Sequence, residues 1–364
     1  MSWFLAFAGF ALLVILHELG HFTVAKWVGM RVEKFSLFFP PTLASKKIGE
    51  TEYAIGLIPA GGYVKISGMS PAEDLPDEVR TRAYHAQPVW KRMAVIVAGP
   101  AVNLIVAFIL LFVYFGLIGA ETDPVDARVA AVEKGYPAAN ALQPGDRLIS
   151  VDGVRGDPVA MSKQIGSHEC AQNPPTDGCK AADPATLVID RDGKRVVEEL
   201  TPVYDASPGV ERTRLGFGYE AGPREALPAG EAVTTSLDRF WFITTQTLSL
   251  PARIFNAEQR KEISGIVGSY ETTRQTIINN LANTVAILAI ISLSLAIVNL
   301  FPFLPLDGGH IFWAAVEKLR GGKPVPFSVM ERAGVVGFML VIGLFAIGLS
   351  NDIGRLSDGG FGAP

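Results

Sequence analysis

The sequence predicts a polytopic α-helical membrane protein with four transmembrane helices. A small β-hairpin follows the first helix, and an α+β domain lies between the second and third. Three observations carry this. The 364-residue chain is 49% hydrophobic with a mean hydropathy of +0.30. Its apolar residues gather in four runs, 3–25, 93–118, 281–301 and 333–350, and the last three hold no Asp, Glu, Lys or Arg. A bilayer core takes roughly 20 apolar residues in a helix, so each run can span it, the fourth only just. Turn signals and alternating residues fill the long segment between the second and third runs.

The first run is preceded by no Lys or Arg and followed by no small-residue cleavage site. It is expected to be a retained membrane helix rather than a removed leader. Two short connections are basic. Residues 26–92 hold Lys26, Arg31, Lys34, Lys46, Lys47, Lys65, Arg80, Arg82, Lys91 and Arg92, and residues 302–332 hold Lys318, Arg320, Lys323 and Arg332. By the positive-inside rule both face the cytosol, leaving the N-terminus, residues 119–280 and the C-terminus outside. A net charge of −4 gives no argument for nucleic acid as a partner; the lipid bilayer is the expected one.

Within the first run stands His17-Glu18-Leu19-Gly20-His21, the pattern HExxH. Residues four apart share one face of a helix. Both imidazoles can therefore hold one zinc ion, and Glu18 is placed to take a proton from the attacking water. Ionisable groups inside a bilayer are costly and functional by default. His17 lies 14 residues after Trp3, about 21 Å along a helix. The site is thus expected inside the membrane, nearer the cytosolic side. Catalytic zinc normally has three protein ligands. The third is sought in NLFPFLPLDGGH, residues 299–310, where Pro302 and Pro305 break the helix and Gly308-Gly309 permit a sharp turn. Asp307 is the acid there; a loop-capping role is the bland alternative. His310 reads equally as a support for Asp307 or as a plain helix-start histidine.

Between the first two helices, Tyr53, Ile55 and Leu57 alternate with other residues, as do Tyr63, Lys65 and Ser67, with Gly61-Gly62 between the runs. This reads as a hairpin, or as a sheet edge able to accept another strand. In the outward segment, residues 127–154 read as strand, Gly-Tyr-Pro turn, short Ala-rich helix, Pro-Gly-Asp and a second strand ending in Asp152-Gly153. A later hairpin turns at Asp192-Gly193. This order resembles a PDZ domain over about 123–204. Leu237, Phe240, Trp241, Thr244 and Leu248 then fall at helical spacing, as in an interfacial helix or one packed on that domain. Cys170 and Cys179 flank a turn-rich loop on the outward side, where an oxidising compartment permits a disulfide; free thiols and a metal site with His168 are the lesser readings.

HExxH together with Asn299-x-x-Pro302 and Asp307-Gly308 resembles the site-2 protease family of intramembrane zinc metalloproteases. AGPAVNLIVAF (98–108), IPAGGYVKISGM (58–69) and GLSNDIGRL (348–356) are similar to other parts of its bacterial regulator-of-sigma-E type. That type often carries two tandem PDZ domains, whereas this chain has room for one. The resemblance implies zinc held by His17, His21 and Asp307. It makes Glu18 the base, and gives Asn299 a role in orienting substrate or supporting the oxyanion. The membrane-associated hairpin residues Gly61, Gly62, Tyr63, Val64 and Lys65 would bind an unwound substrate by strand addition. The substrates implied are single-pass membrane proteins, such as an anti-sigma factor already cut by another protease, and the location a bacterial inner membrane with the PDZ-like domain extracytoplasmic. The expected organisation is 1–118 (two helices, HExxH, hairpin), 123–204 (PDZ-like), 205–280 (amphipathic linker) and 281–364 (the last two helices). A non-catalytic scaffold presenting a PDZ domain is the rival from another class. A prenyl-protein protease would need a Glu ligand that the last two runs lack.

Overall fold

The computed structural model describes residues 2–58, 61–69, 73–206, 210–256, 260, 263–323 and 325–357. It divides into two compact units, Met1–Leu117 with Leu227–Phe361, and Ile118–Ala226.

In the first unit, α1 (Ser2–Trp27) leads into four strands: β1 (Val32–Ser36), β2 (Phe39–Ile48), β3 (Thr51–Ile58) and β4 (Tyr63–Ile66). A short α2 (Asp77–Arg80) precedes the long α3 (Val89–Val113), which continues through a π turn to Ile118. The strand order is β2-β3-β1-β4. The two runs expected to form a hairpin, β3 and β4, are therefore not paired with each other. Here β1 lies between them, parallel to β3 and antiparallel to β4. Val32 is fully buried in a cluster with Ala25, Met30, Ile66 and Val95, so the middle of the sheet is sealed against the ends of α1 and α3. That apolar burial makes β1 the central strand and moves β4 to an edge. Residues 59 and 60, at the expected turn, lie outside the described residues. The sheet is tied to α1 by Glu50, which bonds Arg82 at 2.8 Å and Lys26 at 2.9 Å. The Arg82 hydrogen bonds, then that of Lys26, hold the Glu50 carboxyl down at about 2, so the tie stays ionised at neutral pH.

The second unit has β5 (Ala120–Glu121), β6 (Val129–Val132), β7 (Arg147–Val151), β8 (Val154–Arg155), α4 (Pro158–Gly166), β9 (Ala185–Arg191) and β10 (Lys194–Leu200). It closes with β11 (Val203–Asp205), β12 (Arg212–Arg214), β13 (Phe217–Tyr219) and β14 (Arg224–Glu225). The strand, short helix, hairpin and later hairpin come in the order the sequence predicts, and α4 between the two hairpins is an addition to it. Asp152-Gly153 and Asp192-Gly193 both take positive φ, as two-residue turns between strands require. The core holds Val129, Leu148, Val151, Met161, Leu187, Ile189 and Leu215. The unit runs past 204 because β13 returns to pair with β6. Cys170 and Cys179 form a disulfide, with Cα atoms 5.8 Å apart.

The chain re-enters the first unit at α5 (Ala229–Leu248), followed by α6 (Leu250–Arg253), α7 (Ile266–Asn279), α8 (Leu281–Asn299), α9 (Asp307–Leu319) and α10 (Phe327–Ser357). Segments Ser2–Trp27, Val89–Ile118, Leu281–Asn299 and Ser328–Arg355 are long and apolar enough to cross a membrane. The helix α5 packs on α3 and α8, with Ile243 in one cluster with Ala107, Leu293 and Ile297. Trp241 and Phe242, on its other side, are exposed.

A candidate metal centre

His17 and His21 sit one turn apart on α1, as HExxH on a helix requires. Asp307 is the first residue of α9, where the helix dipole favours a carboxylate. Their donor atoms converge. His17 Nε2 and His21 Nε2 are 3.2 Å apart, and Asp307 Oδ2 lies 3.2 Å from the first and 3.3 Å from the second. All three residues are largely buried. Donors of a tetrahedral zinc site, each 2.0–2.2 Å from the ion, stand about 3.3 Å from one another. The triangle therefore has the size of one face of such a site. Two imidazoles and a carboxylate are also the donor types that zinc takes. The residues fit the ion.

Close backbone approach makes the convergence possible. A Cβ on Gly20 would lie 2.6 Å from the Ala98 carbonyl oxygen, so only glycine lets α1 meet α3 at this depth. A Cβ on Gly99 would lie 2.3 Å from His21 Nε2 itself. Gly308 and Gly309, expected to permit a turn, lie instead inside α9. There a Cβ would strike Leu300 O at 2.2 Å and Leu304 N at 2.5 Å, so they let the chain after α8 fold tightly over the start of α9. Arg92 donates to Glu317 at 2.6 Å and so binds the far end of α9 to α3. We expect Gly99→Ala to lower zinc content sharply, because the new methyl group occupies the place of a ligand atom. Metal analysis checks this; full zinc in a folded variant would contradict the packing.

Glu18 stands between the two histidines. A Cβ on Gly62 would lie 3.2 Å from Glu18 Cγ, and the Val64 backbone N–H faces the Glu18 carboxylate. The edge strand β4 thus borders the metal centre. Of its expected binding residues, Tyr63 stacks on Phe39 and Lys65 pairs with Glu33 at 2.6 Å. Asn299 ends α8, half-buried, and its side chain makes no hydrogen bond among the described residues. His310 is on the first turn of α9.

Sequence reasoning missed the partners on α3. The Val95 carbonyl oxygen lies 2.8 Å from His21 Nδ1, and the Asn103 side chain 3.4 Å from His17 Nδ1. These contacts span 74 and 86 residues of chain, and the only sequence trace was Asn103 itself, a polar residue in a charge-free apolar run.

Helices of membrane-crossing length that bury a His-His-Asp donor set beside a carboxylate define a membrane metallohydrolase. The description of peptidase family M50 matches residues 5–344. The chain belongs to that family, the site-2 proteases. It is 33% identical to a protein of Brucella suis biovar 1 whose name assigns it provisionally to the zinc metalloproteases, over 93% of this chain and 92% of that protein. It is 30% identical to the zinc metalloprotease Rip1 of Mycobacterium tuberculosis H37Rv, over 93% of this chain and 94% of Rip1. Among solved structures, the PDZ domain of an SdrC-like protein from Listeria monocytogenes aligns with 27% of this chain and 90% of its own, at 16% identity and a TM-score of 0.21.

Proposed function

We propose that this zinc metalloprotease cleaves single-pass membrane proteins inside or at the edge of the bilayer, using His17, His21 and Asp307 as ligands and Glu18 as base. The observation that carries the reading is the triangle of donors at 3.2–3.3 Å with Glu18 and the edge of β4 beside it. A scaffold that only presented a PDZ-like domain would have no use for three buried donors aimed at one point, since burying polar groups without a partner is costly.

Zinc bound there would polarise the scissile carbonyl and acidify a water. Glu18 takes the proton of the attacking water and returns it to the leaving amine, a transfer typically worth about 10²–10⁴-fold in rate. A transmembrane helix has its amides already bonded, so it must first unwind. The free edge of β4, from Gly61 to Lys65, accepts the unwound segment as an added strand and holds it next to Glu18. Asn299 orients the substrate carbonyl or supports the oxyanion. The charge pattern supports a placement in a bacterial inner membrane with residues 26–92 on the cytosolic side and residues 119–280 outside. An anti-sigma factor shortened by another protease suits this arrangement, because an outer segment without bulk can bring its helix to the site.

The test uses purified full-length protein in detergent or liposomes with a single-pass substrate. Cleavage is expected to stop with a zinc chelator and to resume when zinc is restored. Cleavage that persists in a protein stripped of metal would overturn the reading.

A further inference from the structure

We propose that Asn103 is a positioning residue that fixes the tautomer of His17, and that α3 sets the tautomers of both histidine ligands. The inference rests on the metal site proposed above and adds a residue to it.

The two imidazoles present Nε2 to the common point shared with Asp307 Oδ2. A neutral imidazole carries one proton, so an Nε2 that ligates must leave the hydrogen on Nδ1. Each Nδ1–H then needs an acceptor. For His21 it is the Val95 carbonyl oxygen at 2.8 Å. For His17 Nδ1 the hydrogen-bonding neighbour among the described residues is the amide of Asn103, 3.4 Å away. Asn103 has 0% exposure, so water does not compete for it.

As placed, the amide turns its Nδ2 toward His17 Nδ1, while its Oδ1 is buried without any partner. With the hydrogen on His17 Nδ1, that leaves donor facing donor and an acceptor unused. A half-turn of the amide exchanges the two atoms with no change in shape. Turned, Oδ1 accepts the His17 Nδ1–H, so the facing donors are removed and the unused acceptor gains a partner, while Nδ2 takes the other position. Only the zinc-ligating tautomer of His17 makes this solution available.

Asn103 is itself held in place. Ser292 Oγ on α8 donates to its backbone oxygen at 2.9 Å, and α3 supplies both acceptors from residues two turns apart. Losing an outer partner of a ligand typically costs about 10–100-fold in metal affinity or activity.

The experiment measures zinc affinity of the full-length protein in detergent, by competition with a chelator of known affinity. The melting temperature of the metal-free form is recorded alongside. Asn103→Leu keeps the approximate volume and removes the acceptor; Asn103→Asp keeps the acceptor. Zinc affinity is expected to fall about 10–100-fold in Asn103→Leu and to stay within a few-fold of the parent in Asn103→Asp. If leucine prevents folding, Asn103→Ala removes the acceptor by truncation and is read in the same way. Parental affinity in the acceptor-free variant overturns the proposal, as does an equal loss in Asn103→Asp. A parent that binds zinc tightly yet cuts no membrane substrate would sink the proposed function and leave this inference standing.

Discussion

Glu18→Gln abolishes cleavage of a membrane substrate and leaves zinc bound. The three donors that meet at 3.2–3.3 Å come from His17, His21 and Asp307, and Glu18 contributes none of them. Its neighbours are Gly62 and the Val64 backbone N–H, which place it against the strand edge where a substrate carbonyl would lie. Glutamine has nearly the same shape, so the packing against Gly62 is kept. What disappears is the ability to take a proton. General-base catalysis typically supplies about 10²–10⁴-fold, so the residual rate should fall at least that far. Atomic absorption and a cleavage assay on one preparation decide the matter. Retained turnover would remove Glu18 from its role, and loss of zinc would make it a ligand instead.

Asp307→Ala loses both zinc and activity. Among the described residues its carboxylate is the only donor of the site that does not come from α1, and removing it leaves two imidazoles on one helix face. Removing an outer partner of a ligand already costs about 10–100-fold in metal affinity, and removing the ligand itself should cost more. The substitution need not disturb the fold nearby. The start of α9 is held by the close contacts of Gly308 and Gly309, and its far end by Arg92–Glu317. Near-stoichiometric zinc in Asp307→Ala would move the third ligand elsewhere. The paired outcome separates the two roles: Glu18→Gln holds zinc without turnover, and Asp307→Ala holds neither.

Much of this was legible in the chain. A four-residue spacing on a helix already puts His17 and His21 on one face, because helical period is a local property. The apolar runs marked the spanning helices for the same reason. Asp152-Gly153 and Asp192-Gly193 announced their hairpins, since the turn backbone is decided by the residues within it. Asp307 could be singled out as the acid beside broken helix, and the family pattern paired it with the histidines.

What escaped was set by contacts between distant segments. The strands β3 and β4 look like neighbours in sequence, yet β1 separates them, because burial of Val32 beneath the sheet outweighed the short connection. The amphipathic spacing of α5 reads as an interfacial helix or one packed on the PDZ-like domain, and packing of Ile243 against Ala107 and Leu293 puts its buried face on α3 and α8, which neither reading named. Gly308-Gly309 signalled flexibility but serves close approach.

By itself the sequence determined the four apolar helices and the hairpin turns, which follow from residue type and short-range spacing, and it carried the motifs that mark the family. Only the tertiary structure decided which edge of the sheet borders Glu18, how closely α1 and α3 approach through Gly20 and Gly99, and that Val95 and Asn103 lie against the two imidazoles. The physical reason is that side-chain period is encoded turn by turn, whereas the partner of a buried polar atom is chosen by whichever element packing brings within about 3 Å.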